Sequence, residues 1–316
     1  MKDKRKIVLV GTGFVGMSFA YSMLITGDVD EFVLIDVNKE KAIGEAMDLQ
    51  HGMAYAKRKI NIHAGEYDEC KDADIVVITA GATQKPGETR LDLTITDTKI
   101  VKSVTEQIMA SGFNGILIVA CNPVDIMTYV AQKVSKLPHN QVIGTGTLLD
   151  TARLRFMLSE ELNISPSNIH AYIMAEHGDT SFVAWDHAYL GSKKLYAVLE
   201  QKNLGQDFLD RIYTQVQQAG YEIVNRKKST YYGIGLTLNR LVHAILHDER
   251  VILTVSAYQD GQYGSYGLYN GCPAIIGMHG CEEILELELN KQDQEKFKNS
   301  CDTLQKIIEE VVDPLL

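Results

Sequence analysis

The sequence predicts an α/β chain, a doubly wound parallel sheet in its first half followed by an α+β unit. Three observations carry this expectation. Short apolar runs alternate with helical patterns over the first 145 or so residues. The first run closes on a glycine-rich turn of fixed spacing. From about Thr147 the pattern changes to long helices and a stretch rich in glycine and tyrosine.

The apolar runs fall at 7–10, 32–35, about 60–64, 75–79, 116–120 and, more weakly, 142–143. They are continuous rather than alternating, the pattern of strands buried on both faces of a parallel sheet with helices crossing between them. Beyond Thr147 the spacing predicts a helix over Leu148 to Glu161, a strand over Ile169 to Ala175, and helices over about 207–225 and 229–247. Tyr258, Tyr263, Tyr266 and Tyr269 among Gly261, Gly264, Gly267 and Gly271 predict antiparallel hairpins. Phe297, Cys301, Leu304, Ile308 and Val311 form a core-facing stripe on a terminal helix.

The first run leads into Gly11-Thr12-Gly13-Phe14-Val15-Gly16, and a second strand ends on Asp36, twenty residues after Gly16. Strand, glycines, helix, strand and acid in register form a dinucleotide-binding fingerprint. Gly11 permits the tight turn, Gly13 lets a pyrophosphate approach the backbone, and Gly16 lets helix and strand pack closely. The phosphates then meet the N–H groups and positive dipole at the helix start. Asp36 accepts from the adenosine ribose hydroxyls and repels a 2′-phosphate, which favours NAD over NADP. Residues 1–146 are therefore read as a dinucleotide-binding (Rossmann) domain and 147–316 as a substrate domain, with a ligand cleft where the parallel strands end.

Composition narrows the field of partners. Among 316 residues, 45% are apolar and 23% charged, enough to bury well-formed cores. The net charge of −10 disfavours nucleic acid and anionic membranes as main partners, and no stretch approaches the roughly 18 apolar residues of a membrane span. Five cysteines (Cys70, Cys121, Cys272, Cys281, Cys301) without a C-x-x-C pair suit free thiols in a reducing, cytoplasmic setting. The start, Met-Lys-Asp-Lys-Arg-Lys, has too short an apolar core after it for a signal peptide.

Glu176-His177-Gly178-Asp179-Thr180 follows an apolar run, so His177 sits where a strand gives way to a loop at the cleft rim. One histidine among nine is ordinary unless partners can be named. Asp150 and Arg153 lie three apart on one helix face. They read either as a surface pair or as two functional groups: Asp150 fixing the imidazole tautomer and stabilising its protonated form, Arg153 gripping a substrate carboxylate with two hydrogen bonds.

The fingerprint, Ala80-Gly81-Ala82-Thr83-Gln84-Lys85-Pro86-Gly87-Glu88-Thr89-Arg90, Cys121-Asn122-Pro123-Val124-Asp125, Asp150-Thr151-Ala152-Arg153 and Glu176-His177-Gly178-Asp179 occur in this order. That succession resembles the L-lactate and malate dehydrogenase family over essentially the whole chain. The resemblance implies that His177 exchanges the substrate hydroxyl proton while hydride passes between the adjacent carbon and the nicotinamide, with Asp150 as its carboxylate partner. It implies that Arg90, on a lid, polarises the carbonyl, that Asn122 bonds the same oxygen, and that Thr230 flanks the substrate. Ser229-Thr230-Tyr231 before a helix could equally be an N-cap. To the cofactor residues the resemblance adds Val15, Lys41, Tyr67, Gly81, Ala82 and Asn122.

Malate-type members carry a second lid arginine where this chain has Gln84. A second substrate carboxylate would then lack a cationic partner, so pyruvate and L-lactate fit better. Malate dehydrogenase, or a non-catalytic NAD-binding relative, is the alternative. Arg155 lies about 200° round the helix from Arg153 and faces elsewhere. In the bacterial branch activated by fructose 1,6-bisphosphate, residues matching Arg155 and His170 line a phosphate site across a subunit interface. The resemblance therefore implies an allosteric site and a homo-oligomer, usually a tetramer. His243 and His247 have a helical spacing that can bind zinc, but no third ligand or H-E-x-x-H pattern accompanies them in the sequence, and no metal is expected. Cys121, beside Asn122, is read as an inert buried thiol.

Overall fold

The computed structural model describes residues 4–82 and 90–316, the side chain of Arg90 excepted. Six parallel strands form its centre: β1 (Lys6–Val10), β2 (Glu31–Ile35), β3 (Asn61–Ala64), β4 (Ile75–Ile78), β5 (Ile116–Val119) and β6 (Val142–Gly144). Their order is β6-β5-β4-β1-β2-β3, with α1 (Phe14–Thr26), α2 (Lys39–His51), α3 (Arg90–Ala110) and α4 (Val124–Ser135) in the crossovers. Every residue of β1, β4 and β5 is buried, because their Val, Ile and Leu side chains meet helices on both faces. Val10 pairs with both Ile35 and Ile78, so β1, β2 and β4 end level. The strand order reverses between β1 and β4, and a crevice opens above their carboxyl ends. The predicted fold class and the six strands are those observed.

After Thr147 the chain enters α5 (Leu148–Leu162). The single strand expected over Ile169 to Ala175 is instead two short ones, β7 (Ile169–His170) and β8 (Ile173–Met174), in different sheets. The break has a local cause. Thr147 Oγ1 donates to the Ile173 carbonyl and Thr151 Oγ1 accepts from the Ile173 N–H, so α5 takes backbone groups that a longer strand would use. β8 pairs with β9 (Phe182–Val183), and β7 joins β10 (Tyr189–Leu190) and β11 (Lys193–Lys194). A short helix, α6 (Leu195–Gln201), had no distinct sequence signal. The next helices are α7 (Gln206–Lys227) and α8 (Tyr232–Leu246); α8 starts three residues later than expected.

The tyrosine-rich stretch forms the predicted antiparallel hairpin, β12 (Val251–Asp260) with β13 (Tyr266–Gly277), followed by β14 (Gly280–Ile284). Ser256 on β12 pairs with Gly144 on β6, so the hairpin extends the main sheet to nine strands. The terminal helix α9 (Lys291–Ile307) buries Phe297, Cys301 and Leu304 as expected. Its last turn widens to a π turn, and Val312 rather than Val311 is fully buried. A second apolar cluster lies between α5 and α7, built from Leu154, Leu158, Phe208, Leu209, Ile212 and Val216 among others. No described helix is long and apolar enough to cross a membrane.

Candidate active site

The crevice is lined first by the turn after β1. Gly11 has φ +105°, and a Cβ there would meet the Ala80 backbone at 2.7 Å. A Cβ on Gly16 would fall 2.1 Å from the Gly11 carbonyl, so helix and strand touch only because it is absent. Gly13 caps α1 without a side-chain bond, and nothing lies within 4 Å of where its Cβ would be. The space beside Gly13 at the start of α1 is therefore open, a place suited to a pyrophosphate. Val15 is half-buried in that first turn.

Asp36 follows β2. Its Oδ2 accepts from the Thr12 N–H (2.7 Å) and hydroxyl (2.8 Å), and its Oδ1 from the Asn38 N–H (2.9 Å). Burial alone would raise this carboxyl, but those bonds and the Lys41 ammonium hold it below its usual range. Of about four acceptor positions on a carboxylate, three are thus engaged, leaving room for about one ribose hydroxyl. Lys41 Nζ donates to the Thr12 carbonyl at 2.5 Å, which ties α2 to the glycine turn. Tyr67 opens a short 3-10 turn nearby, its phenol pushed up to about 12, chiefly by burial. Gly81 follows β4 and lies beside Asp97 and Cys121; the Ala82 N–H donates to Asp97 at 2.7 Å. Asn122 follows β5 and is exposed. Most of the residues expected to bind the cofactor thus follow β1, β2, β4 and β5 at one rim of the sheet, with Lys41 on α2 and Tyr67 after β3.

His177, Asp150 and Arg153 meet. The imidazole Nδ1 is 2.5 Å from Asp150 Oδ2, and Arg153 donates to Asp150 Oδ1 at 3.0 Å. The Asp150 and Arg153 side chains are each 15% exposed, whereas His177 is 31% exposed, so the ring keeps an open edge. Burial opposes charge on His177, but the Asp150 carboxylate outweighs it and raises the imidazole above its ordinary value. Burial likewise opposes charge on Asp150, and the imidazole and guanidinium together hold its carboxyl below the usual range.

One participant was missed. The His177 N–H donates to Asp125 Oδ2 at 2.9 Å, and Ser256 Oγ donates to Asp125 Oδ1 at 2.5 Å. Asp125 is only 2% exposed, and burial pushes its carboxyl up to about 6 despite those bonds. Its motif was visible in the sequence, but Ser256 lies 131 residues away, and no spacing rule connects them. Ala175, at φ +73°, turns the chain out of β8 into the His177 loop. Ser300 on α9 accepts from the Glu176 N–H at 3.0 Å, and Thr180 donates to Glu176 Oε2 at 2.6 Å, which pins that loop.

Gln84 lies outside the described residues, as does the Arg90 side chain at the start of α3. Thr230 lies between α7 and α8 and does not cap α8, whose first flanking residue is Tyr231. Tyr231 stacks on Phe14 at 5.1 Å, and Leu149 packs where a Gly233 Cβ would go, so the Thr230 loop lies between the glycine turn and α5. Arg155 points away from His177: its Nε donates to the Ala171 carbonyl at 3.3 Å, and its guanidinium lies over the Tyr172 ring. His170, next to Ala171, is exposed. Cys121 is buried and its thiol is pushed up to about 12 by that burial, consistent with an inert thiol.

The family described as lactate/malate dehydrogenase, NAD binding domain, matches residues 5–144, and the one described as lactate/malate dehydrogenase, alpha/beta C-terminal domain, matches 147–314. The chain is 50% identical to an L-lactate dehydrogenase of Geobacillus sp. (strain WCH70) over 309 residues, 98% of this chain and 97% of that protein. Among solved structures it is similar to a lactate dehydrogenase enzyme from a Medee basin deep-sea metagenome library, with TM-score 0.96, 48% identity and 98% and 99% of the two chains covered. It is equally similar in fold to the minor L-lactate dehydrogenase of Enterococcus mundtii in the ligands-bound form, with TM-score 0.96, 45% identity and the same coverage.

Proposed function

The chain belongs to the lactate/malate dehydrogenase family, and from that membership we infer that it is an NAD-dependent L-lactate dehydrogenase interconverting pyruvate and L-lactate. The observation that best supports the mechanism is the chain Arg153–Asp150–His177. The open cradle at Gly13 and the acceptor at Asp36 fit the pyrophosphate and ribose of NAD. When bound, NADH supplies the hydride that reaches the carbonyl carbon of pyruvate.

The protein residues handle the proton and the charge. With Nδ1–H directed at Asp150, the other ring nitrogen of His177 gives its proton to the substrate oxygen in reduction and takes it back in oxidation. Asp150 fixes the ring and stabilises its cation. Arg153, with one N–H on Asp150, offers its remaining donors to the substrate carboxylate. Arg90 and Asn122 polarise the carbonyl, and Thr230 flanks the substrate. Uncharged Gln84 on the lid selects a monoacid, because a second carboxylate sealed in the closed site would stay unpaired at a cost of several kcal/mol. Val15, Lys41, Tyr67, Gly81 and Ala82 complete the NAD site, within an NAD-binding unit of residues 1–146 and a substrate unit of 147–316.

We further propose a cytoplasmic, fermentative role at the end of glycolysis, supported by five free cysteines, and a homotetramer regulated by fructose 1,6-bisphosphate. Arg155 bonds the carbonyl of Ala171, the chain neighbour of exposed His170, which supports an anion site separate from His177. Loss of NADH absorbance with pyruvate or with oxaloacetate, each with and without fructose 1,6-bisphosphate, tests the whole reading. Pyruvate is expected to be the faster substrate, and the sugar bisphosphate to lower its KM. A preference for oxaloacetate would overturn the substrate assignment, and no response to the bisphosphate would remove the regulatory one.

A further inference from the structure

The end of α1 and the end of α8 meet in a cluster that the catalytic mechanism does not use. His243 lies in the last turn of α8 and His247 four residues on, directly after the helix, and the sequence offered them no third partner. The fold supplies one in Asp28, just past the end of α1. Asp28 Oδ2 is 2.8 Å from His243 Nδ1, and Asp28 Oδ1 is 3.2 Å from His247 Nε2. The donor atoms of the three side chains all lie within 4.8 Å of one another.

Hydrogen-bond accounting makes this arrangement unusual. His243 faces a carboxylate with each ring nitrogen, since its Nε2 is 3.2 Å from Glu249 Oε1. A neutral imidazole has one N–H. Given to Glu249, that proton leaves the Nδ1 lone pair aimed at an Asp28 oxygen. The His247 Nε2 also faces Asp28, with Arg5 Nη1 3.3 Å away. In that tautomer the His243 Nδ1 lone pair, the His247 Nε2 and the Asp28 carboxylate converge, and the Glu249 carboxylate behind the first imidazole sets its tautomer as the outer partners of metal-bound histidines do.

We propose that Asp28, His243 and His247 form a site for one divalent transition-metal ion of the zinc type, with Glu249 orienting His243. Ligand bonds of about 2.0–2.2 Å in tetrahedral geometry place donor atoms about 3.3 Å apart; here the two Asp28–imidazole contacts are 2.8 and 3.2 Å, through different oxygens of Asp28, and the three donor atoms lie within 4.8 Å of one another. Two nitrogen donors favour zinc-like ions over magnesium or calcium. The ion ties the end of α1, which begins at the glycine turn, to the end of α8, which begins beside the Phe14–Tyr231 stack. A second group, Glu31, His63 and Glu69, has comparable spacing, but it offers one nitrogen donor rather than two, and the Lys6 ammonium stands 3.6 and 3.7 Å from its two carboxylates.

Metal-stripped protein titrated with Co²⁺ and with Zn²⁺ tests the site, read by the visible Co²⁺ spectrum, equilibrium dialysis and Tm. The expected result is one ion per chain, an intense tetrahedral Co²⁺ spectrum displaced by Zn²⁺, and a Tm raised by a few degrees at saturation. His247→Ala, at an exposed position, and Asp28→Asn should each weaken binding about 100-fold or more, Glu249→Gln about 10- to 100-fold, and His63→Ala should leave it unchanged. Absence of stoichiometric uptake, or uptake unaltered in His247→Ala and Asp28→Asn, overturns the proposal.

Discussion

Replacing Asp150 by Asn tests the proton relay with little change of shape. The amide oxygen can still accept from Arg153, but the charge beside His177 is gone, and an amide N–H now faces Nδ1. The magnitude follows from the geometry. Two unit charges about 4 Å apart interact by about 4 kcal/mol at an effective dielectric constant of about 20. The His177 side chain is 31% exposed, so screening reduces this to about 2–3 kcal/mol, or about 30- to 150-fold in rate at roughly 1.4 kcal/mol per factor of ten. The sign is fixed by the direction of the shift. Asp150 raises the imidazole above its ordinary value against the pull of burial, so its loss lowers that value and depletes the imidazolium that pyruvate reduction requires near neutrality. Lactate oxidation suffers as well, because an amide donor at Nδ1 moves the remaining proton to the nitrogen that must act as base. The assay is kcat/KM for pyruvate between about pH 5 and 9 in both proteins. The expected profile is lower near neutrality, with its falling limb displaced to more acid pH. An unchanged profile, or a uniform loss without displacement, would refute the electrostatic account of Asp150.

Gln84→Arg should raise the ratio of kcat/KM for oxaloacetate over pyruvate by at least about tenfold, since it pairs the second carboxylate; a fixed ratio measured by NADH absorbance would undo the specificity argument. Asp36→Ala removes the carboxylate that repels a 2′-phosphate, and the NADPH to NADH ratio of kcat/KM should rise about 10- to 100-fold, or about 1.4–2.8 kcal/mol. Asp125→Asn imitates the protonated acid, accepting from the His177 N–H and donating to Ser256. Because burial raises the Asp125 carboxyl from 3.8 to about 6, the native protein keeps its full stability below about pH 4 and loses it as pH rises through about 6. Relative to the variant, it should therefore lose about 2 kcal/mol between pH 4.5 and pH 7, read from urea midpoints; parallel stabilities across that range would refute the assignment.

The fold and most of the site are local in the chain, and the sequence determined them. Buried strands of a parallel sheet show as unbroken apolar runs, and Gly11 and Gly16 are required by the positive φ and the close helix–strand contact of one turn, while Gly13 leaves its side open. Asp150 and Arg153 share a helix face because three residues nearly complete a turn. His177, by contrast, acquired a role in the sequence only through its motif, and its contact with Asp150 depends on how β8 packs against α5. Tertiary structure alone decided the break between β7 and β8, where threonines of α5 take the backbone groups of Ile173. It also decided the joining of β12 to β6, which brings Ser256 to Asp125, and the meeting of Asp28 with His243 and His247. Each of these depends on groups more than 20 residues apart, and side-chain periodicity carries no information over that distance, because it records which face of one element is buried but not what covers it.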